Sequence, residues 1–129
     1  MKPTHMLTAL SLLQVLFMTF HLTDDTLRAR PGTVEAMGST FVAVPVLVFF
    51  LYAALLLVQR RSGLIIILVQ SVLSIGMPLI HMTGTWGVGG SKPSFFFIWT
   101  MFVLAVTGLL ATFLAVDGLR GPRQVAGAL

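Results

Sequence analysis

Four long stretches of this chain contain no formally charged side chain, and they constrain its fold more than any other feature. They lie between Lys2 and Asp24, Glu35 and Arg60, Arg61 and Lys92, and Lys92 and Asp117. Each is long enough to cross about 30 Å of hydrocarbon as an α-helix that rises about 1.5 Å per residue. Charged residues make up only 9% of the chain, whereas soluble domains carry roughly a quarter. The sequence therefore predicts an integral membrane protein.

The uncharged stretches predict an all-α fold, a bundle of four transmembrane helices in one domain that covers residues 1–129. The spans are placed at residues 6–22, 39–59, 64–82 and 95–116. The first span lacks a small-residue cleavage site at its end, so it is interpreted as an uncleaved helix and not as a signal peptide. Beyond it, Asp24 and Asp25 are expected to begin a short surface helix that ends at Pro31.

The basic residues lie near the ends of the predicted spans, and their distribution predicts the orientation. The side that holds both termini carries Lys2, Arg60, Arg61, Arg120 and Arg123, and the opposite side carries Arg28, Arg30 and Lys92. Because Lys and Arg are enriched on the cytoplasmic side of membrane proteins, both termini are expected in the cytoplasm. We expect an integral protein of the cell membrane, in particular the bacterial cytoplasmic (inner) membrane.

The composition and the missing motifs argue against several function classes. The chain has no cysteine, which excludes disulfides and thiolate metal ligands. Its net charge is +4, but the basic residues are scattered, so orientation in the membrane explains them better than binding to nucleic acid. The glycine-rich segment 84–93 is not a phosphate-binding loop, because GxxxxGK followed by Ser or Thr is absent. Since no catalytic constellation is found, we expect that the chain is not an enzyme.

Two histidines lie near the ends of the first and third spans, each preceded by a methionine within about one turn. The two sites read Met18-x-x-His21 and Met77-x-x-x-His81. If the first and third helices run in the same direction, both imidazoles reach the same side of the membrane at similar depth. One interpretation is simply that histidine is tolerated where a helix leaves lipid. Another is that one ligand is held between the two rings.

Three chemistries fit a histidine pair of this kind. The first is a haem b with His21 and His81 as axial ligands. The second is a copper or zinc ion held by the two histidines together with residues near them, Met18, Met77, Asp24 and Asp25. The methionine sulfurs would favour copper(I), because thioethers are soft ligands. The third is a gate that opens or closes when a histidine gains a proton.

A polar line toward the histidines is suggested by two glutamines inside the spans. Gln14 precedes His21 by seven residues and Gln70 precedes His81 by eleven, so each glutamine shares a helix face with its histidine. Together with Ser74, these residues suggest a polar path from mid-membrane to the surface. The alternative is that Gln14 and Gln70 hold helices together through interhelical hydrogen bonds.

A shift of 60 residues overlays the first predicted helix pair on the second. It matches Ser11 with Ser71, and it matches the boundary residues His21 and Arg60 with His81 and Arg120. This spacing is consistent with two repeated helical hairpins related by an axis along the membrane normal. It is equally consistent with two unrelated hairpins that cross a bilayer of fixed thickness.

A stripe of small residues on the fourth span suggests close approach by another helix. Its members are Ala105, Gly108, Ala111 and Ala115, and we expect a homo-oligomer or a larger membrane complex to form through them. The leading functional hypothesis is a non-catalytic accessory subunit or helper. The alternatives are an electron-transfer protein that binds haem or a metal at His21 and His81, and a small carrier or channel along Gln14, Gln70 and the histidines.

Overall fold

The protein is described by a computed structural model that covers residues 2–28, 34–82 and 94–121. It forms four α-helices, α1 (Pro3–Arg28), α2 (Val34–Tyr52), α3 (Arg61–Met82) and α4 (Phe95–Arg120), and a π-helical turn (Ala53–Leu57) that continues α2. None of the described residues lies in a β-strand. The all-α prediction is confirmed.

Three of the helices contain segments that are long and apolar enough to cross a membrane. These segments are Pro3–Asp24 in α1, Arg61–His81 in α3 and Phe95–Arg120 in α4. In α2 and its π-helical turn, the described apolar segment is shorter, Phe41–Leu57. These apolar helices support the predicted assignment to membrane proteins.

The carboxyl end of α1 differs from the prediction, because the helix continues through Asp24 and Asp25 to Arg28. The expected new helix starting at Asp24 is therefore wrong, and Pro31, its expected end, lies outside the described residues. Hydroxyl groups here donate to their own helix, including the Thr23 hydroxyl to the Thr19 carbonyl at 2.7 Å. Such bonds satisfy the hydroxyl groups locally, so the polar sequence does not need to leave the helical conformation.

Helices α1 and α3 run in the same direction, and α4 runs antiparallel between them. Ser11 of α1 contacts Gln70 of α3, and further along the same two helices His21 contacts His81. Phe97, near the start of α4, contacts both histidines. This arrangement brings together side chains that are about 60 residues apart in the sequence.

The stripe of small residues on α4 is packed inside the chain. Gly108, Ala111 and Ala115 are buried, and Ala105 is half-buried. A Cβ atom added to Gly108 would lie 2.9 Å from both the Ser71 carbonyl oxygen and a side-chain carbon of Ile75. The stripe therefore lets α4 approach α3 of the same chain, which accounts for Gly108 without an intermolecular contact.

Helix α2 lies at the side of this three-helix core and buries few side chains. Its described buried residues are Phe50, with Ala53 and Ala54 in the π-helical turn. The reversal into α3 is tight, since a Cβ atom on Gly63 would collide with the carbonyl group of Leu57. The predicted third span began at residue 64, whereas α3 already begins at Arg61.

The parallel course of α1 and α3 is compatible with two repeated hairpins, and Ser11 and Ser71 both lie in the interface between them. The second members of the two hairpins are not packed alike. Helix α4 is central and buries side chains along its whole length, whereas α2 is peripheral. The duplication of a hairpin stays a prediction.

Candidate functional site

The core between α1, α3 and α4 is built from alternating apolar and polar layers. The first layer, near the amino end of α1, is apolar and consists of Leu7, Val58, Ile67, Ala111 and Ala115. Above it lies a polar network of Ser11, Gln14, Gln70, Ser71, Ser74 and Thr107. Next comes a methionine layer, Met18, Met77 and Met101 packed with Phe17 and Leu104. The histidine pair, His21 and His81, follows beside Phe97.

The polar network joins α1 to α3 through a two-point contact. The Ser11 hydroxyl donates to the Gln70 side-chain oxygen at 2.7 Å, and the Gln70 amide donates to the Ser11 carbonyl at 2.9 Å. Ser11 is fully buried and Gln70 is 3% exposed. Because polar groups in hydrocarbon cannot bond to water, this reciprocal pairing removes the cost of placing an amide inside the bundle.

Gln14 connects all three core helices. Its side-chain amide donates to the Thr107 carbonyl of α4 at 3.2 Å and to the Ser71 hydroxyl of α3 at 3.4 Å. Its side-chain oxygen accepts a hydrogen bond from the Ser74 hydroxyl at 3.0 Å. A glutamine offers two donors and one acceptor oxygen, so Gln14 is satisfied by its neighbours.

This geometry favours the interhelical interpretation of the two glutamines over the polar path. The donors and acceptors of Gln14 and Gln70 are used to hold helices, and Ser74 donates to Gln14. The methionine layer then lies between the polar network and the histidine pair. Thr100 is also buried at the level of the methionines, with its hydroxyl donating to the Phe97 carbonyl of its own helix. The predicted polar path from Gln14 and Gln70 to the histidines stays a prediction.

The two histidines predicted to act together are in direct contact. Their ring centres are 4.9 Å apart and the rings meet edge to face, with an angle of 83° between their planes. The ring of Phe97 lies 5.3 Å from each imidazole. His21 is fully buried and His81 is half-buried. The sequence expected both residues at a helix end, but α1 continues beyond His21 to Arg28.

One hydrogen bond sets the tautomer of His81. Its Nδ1 atom lies 2.9 Å from the carbonyl oxygen of Met77, one turn earlier in α3. A carbonyl oxygen can only accept, so Nδ1 carries the hydrogen and donates it. In the neutral ring, Nε2 then keeps the lone pair that a metal ion or a proton would use.

The other predicted ligands are placed unevenly around the histidine pair. Met18 and Met77 pack in the methionine layer, and Asp24 is half-buried on α1, three residues after His21. The side chain of Asp25 lies outside the described part of the chain. Among the described residues, no group of three or more His, Cys, Asp and Glu side chains is placed to hold a metal ion.

Met101 is the residue of this region that sequence reasoning missed. It is 6% exposed and belongs to the same layer as Met18 and Met77. Helix α4 is apolar around its whole circumference, so its sequence gives no periodic signal for the face that turns inward. A weak signal does exist, because Met101 follows Phe97 by one helical turn.

Comparison of the chain with protein-family models, with curated proteins and with solved structures gave no match.

The contact between the histidine rings can be tested directly, because the chain contains only three histidines. In protein labelled with carbon-13 and nitrogen-15 at histidine and embedded in lipid bilayers, solid-state NMR is expected to show a ring-to-ring correlation between His21 and His81. His81→Gln should abolish this correlation, whereas His5→Gln, at the other end of α1, should leave it unchanged. Absence of the correlation in the unmodified protein would contradict the described arrangement.

Proposed function

We propose that this chain is a four-span integral membrane protein that acts as a non-catalytic accessory subunit or helper within a membrane complex. The observation that best supports this proposal is that the polar network forms hydrogen bonds between helices. The side chains of Gln14 and Gln70 bond to neighbouring helices, so the polar groups of the core serve cohesion between helices. We therefore assign the function to the outer surface of the bundle.

Helix α2 supplies the fourth span in this proposal. It has 19 residues and its π-helical turn adds 5, which together rise about 35 Å at roughly 1.5 Å per residue, enough for the hydrocarbon core. Apolar side chains along this segment are exposed, as lipid contact requires, including Phe41 at 78% and Leu56 at 66%. With four spans, both termini lie on one side, and the excess of Lys and Arg there favours the cytoplasm.

The proposed membrane is the bacterial cytoplasmic membrane, and the proposed partner is another integral subunit or a second copy of the chain. Gly108, Ala111 and Ala115 are already buried within the chain and Ala105 is half-buried, so the proposed contact extends to residues outside this stripe. The exposed faces of α2 and α4, which include Val48, Trp99 and Phe113, provide apolar surface for lipid or for another transmembrane helix.

The four-span topology can be tested with single cysteines, since the chain has none of its own. In spheroplasts, a membrane-impermeant maleimide is expected to label Thr33→Cys and Ser91→Cys. Ser62→Cys and Ala126→Cys should react only after the membrane is permeabilised. Labelling of Ser62→Cys together with Thr33→Cys in sealed spheroplasts would contradict four spans, because α2 would then not cross the membrane. The inverse of the expected labelling pattern would reverse the orientation.

The accessory role predicts a stable association in the membrane. Affinity-tagged chain, extracted from its own membrane in mild detergent after cross-linking, is expected to co-purify with a partner in fixed ratio or as a defined oligomer. An unrelated four-span protein with the same tag and expression level is the control for non-specific capture. Recovery of the chain as a monomer alone, under conditions that keep other complexes intact, would contradict the role.

Metal binding with electron transfer at the histidine pair is the second candidate function, and the ring contact of His21 with His81 favours it. Haem b fits this contact poorly, because a porphyrin would have to lie between two rings that touch each other.

A carrier or channel is less well supported, because the methionine layer lies between the polar network and the histidine pair. Flux in proteoliposomes that falls in Gln70→Leu and His81→Ala would favour the carrier.

A further inference from the structure

We propose that the histidine pair and the methionine layer together form a binding site for copper(I). The proposal deepens the second candidate function and rests on it, since it names the ion and adds Met101 to the predicted ligands. Its parts come from three helices, with His21 and Met18 on α1, His81 and Met77 on α3, and Met101 on α4. Phe97 packs against both imidazoles.

The separation of the imidazoles suits a single ion bound between them. Metal–imidazole bonds are about 2.0–2.1 Å long and a ring nitrogen lies roughly 1 Å from its ring centre, so tetrahedral coordination puts two ring centres about 5 Å apart. The ring centres of His21 and His81 are 4.9 Å apart. The helices therefore already hold the two imidazoles at the separation that two ligands of one ion require.

The hydrogen bond of His81 is of the kind that orients histidine ligands at metal sites. A histidine that ligates a metal through one ring nitrogen usually donates its other N–H to a backbone carbonyl or a carboxylate, which fixes the ring and raises its basicity. His81 makes such a bond from Nδ1 to the Met77 carbonyl at 2.9 Å. Nε2 of His81 is therefore the nitrogen assigned to the ion.

The remaining ligands determine which metal the site takes. Zinc sites are completed by further Cys, His, Asp or Glu side chains, and the described residues include no group of three such side chains. One helical turn from His21, His81 and Phe97 lie three methionines, Met18, Met77 and Met101, whose side chains pack in one cluster. Thioether sulfur is a soft ligand that suits copper(I), whereas zinc, a borderline ion, is bound in proteins by Cys, His, Asp and Glu.

The electrostatics of the site also favour a monovalent ion. Neutral imidazole and thioether ligands bring no charge, so the complex carries only the charge of the ion, and burial of charge in apolar surroundings is costly. A copper(I) complex would carry a single positive charge, compared with two for zinc.

The test is copper(I) binding by the purified full-length protein under anaerobic, reducing conditions, in competition with a chromogenic copper(I) chelator. The expected result is one copper(I) per chain, with nitrogen and sulfur neighbours in the X-ray absorption spectrum. Met18→Leu, Met77→Leu and Met101→Leu keep the side-chain volume. The triple variant is expected to bind copper(I) at least about tenfold more weakly, a loss typical of damage to a metal site.

Met6→Leu is the matched control, because Met6 is 42% exposed and lies in the first turns of α1, far from the histidines. It should bind copper(I) as the unmodified protein does, and His81→Ala should lose binding while its helical circular dichroism is preserved. No copper(I) uptake by the unmodified protein would overturn the proposal, and so would equal affinity in the triple methionine variant. Co-purification of a partner is measured on metal-free protein. A failure of the accessory-role proposal can therefore be distinguished from a failure of the copper(I) proposal.

Discussion

Two glutamine side chains inside an apolar bundle are the constraint on which the rest of this structure depends. In hydrocarbon, helices gain little by burying apolar surface against each other, because lipid tails solvate leucine as well as a neighbouring helix does. An amide there must find protein partners. Gln14 and Gln70 find them across the α1–α3 and α1–α4 interfaces. Their bonds therefore determine which helices meet and at what height.

The register set by these bonds has consequences elsewhere in the core. Beside the polar network, α4 comes close enough to α3 that Gly108 has no space for a Cβ atom. Toward the other, the parallel course of α1 and α3 brings His21 against His81. The methionine layer fills the space between the polar network and the histidines. The residues proposed as copper(I) ligands are thus brought together by the helix register, since no local sequence motif contains all of them.

The helices themselves were predictable, because long uncharged apolar runs leave few other folds. The shared face of Gln14 and His21 was also predictable, since it follows from helical periodicity. The continuation of α1 to Arg28 was not, because acidic residues such as Asp24 more often begin a helix than extend one. Nor was the π-helical turn Ala53–Leu57, whose five residues are all alanine or leucine and fit an ordinary α-helix equally well.

The face of α4 that packs against the core could not be predicted from the sequence, and the reason is physical. When lipid and core are both apolar, the sequence carries no hydrophobic periodicity that separates them. Small residues mark a close approach but not its partner. Gly108, Ala111 and Ala115 were consistent with a second chain, and the structure pairs them within the same chain. The inward position of Met101 could not be predicted for the same reason.

The most direct test of this account is a double-mutant cycle on the Ser11–Gln70 contact, measured as the free energy of unfolding in a bilayer-like medium. The account predicts a coupling of about 1 kcal/mol between Ser11→Ala and Gln70→Leu, within the range found for hydrogen bonds between membrane helices. Val72→Leu, at a site on α3 that is 55% exposed, should have little effect. A coupling of zero, with Gln70→Leu as stable as the unmodified protein, would contradict the claim that buried amides set the helix register.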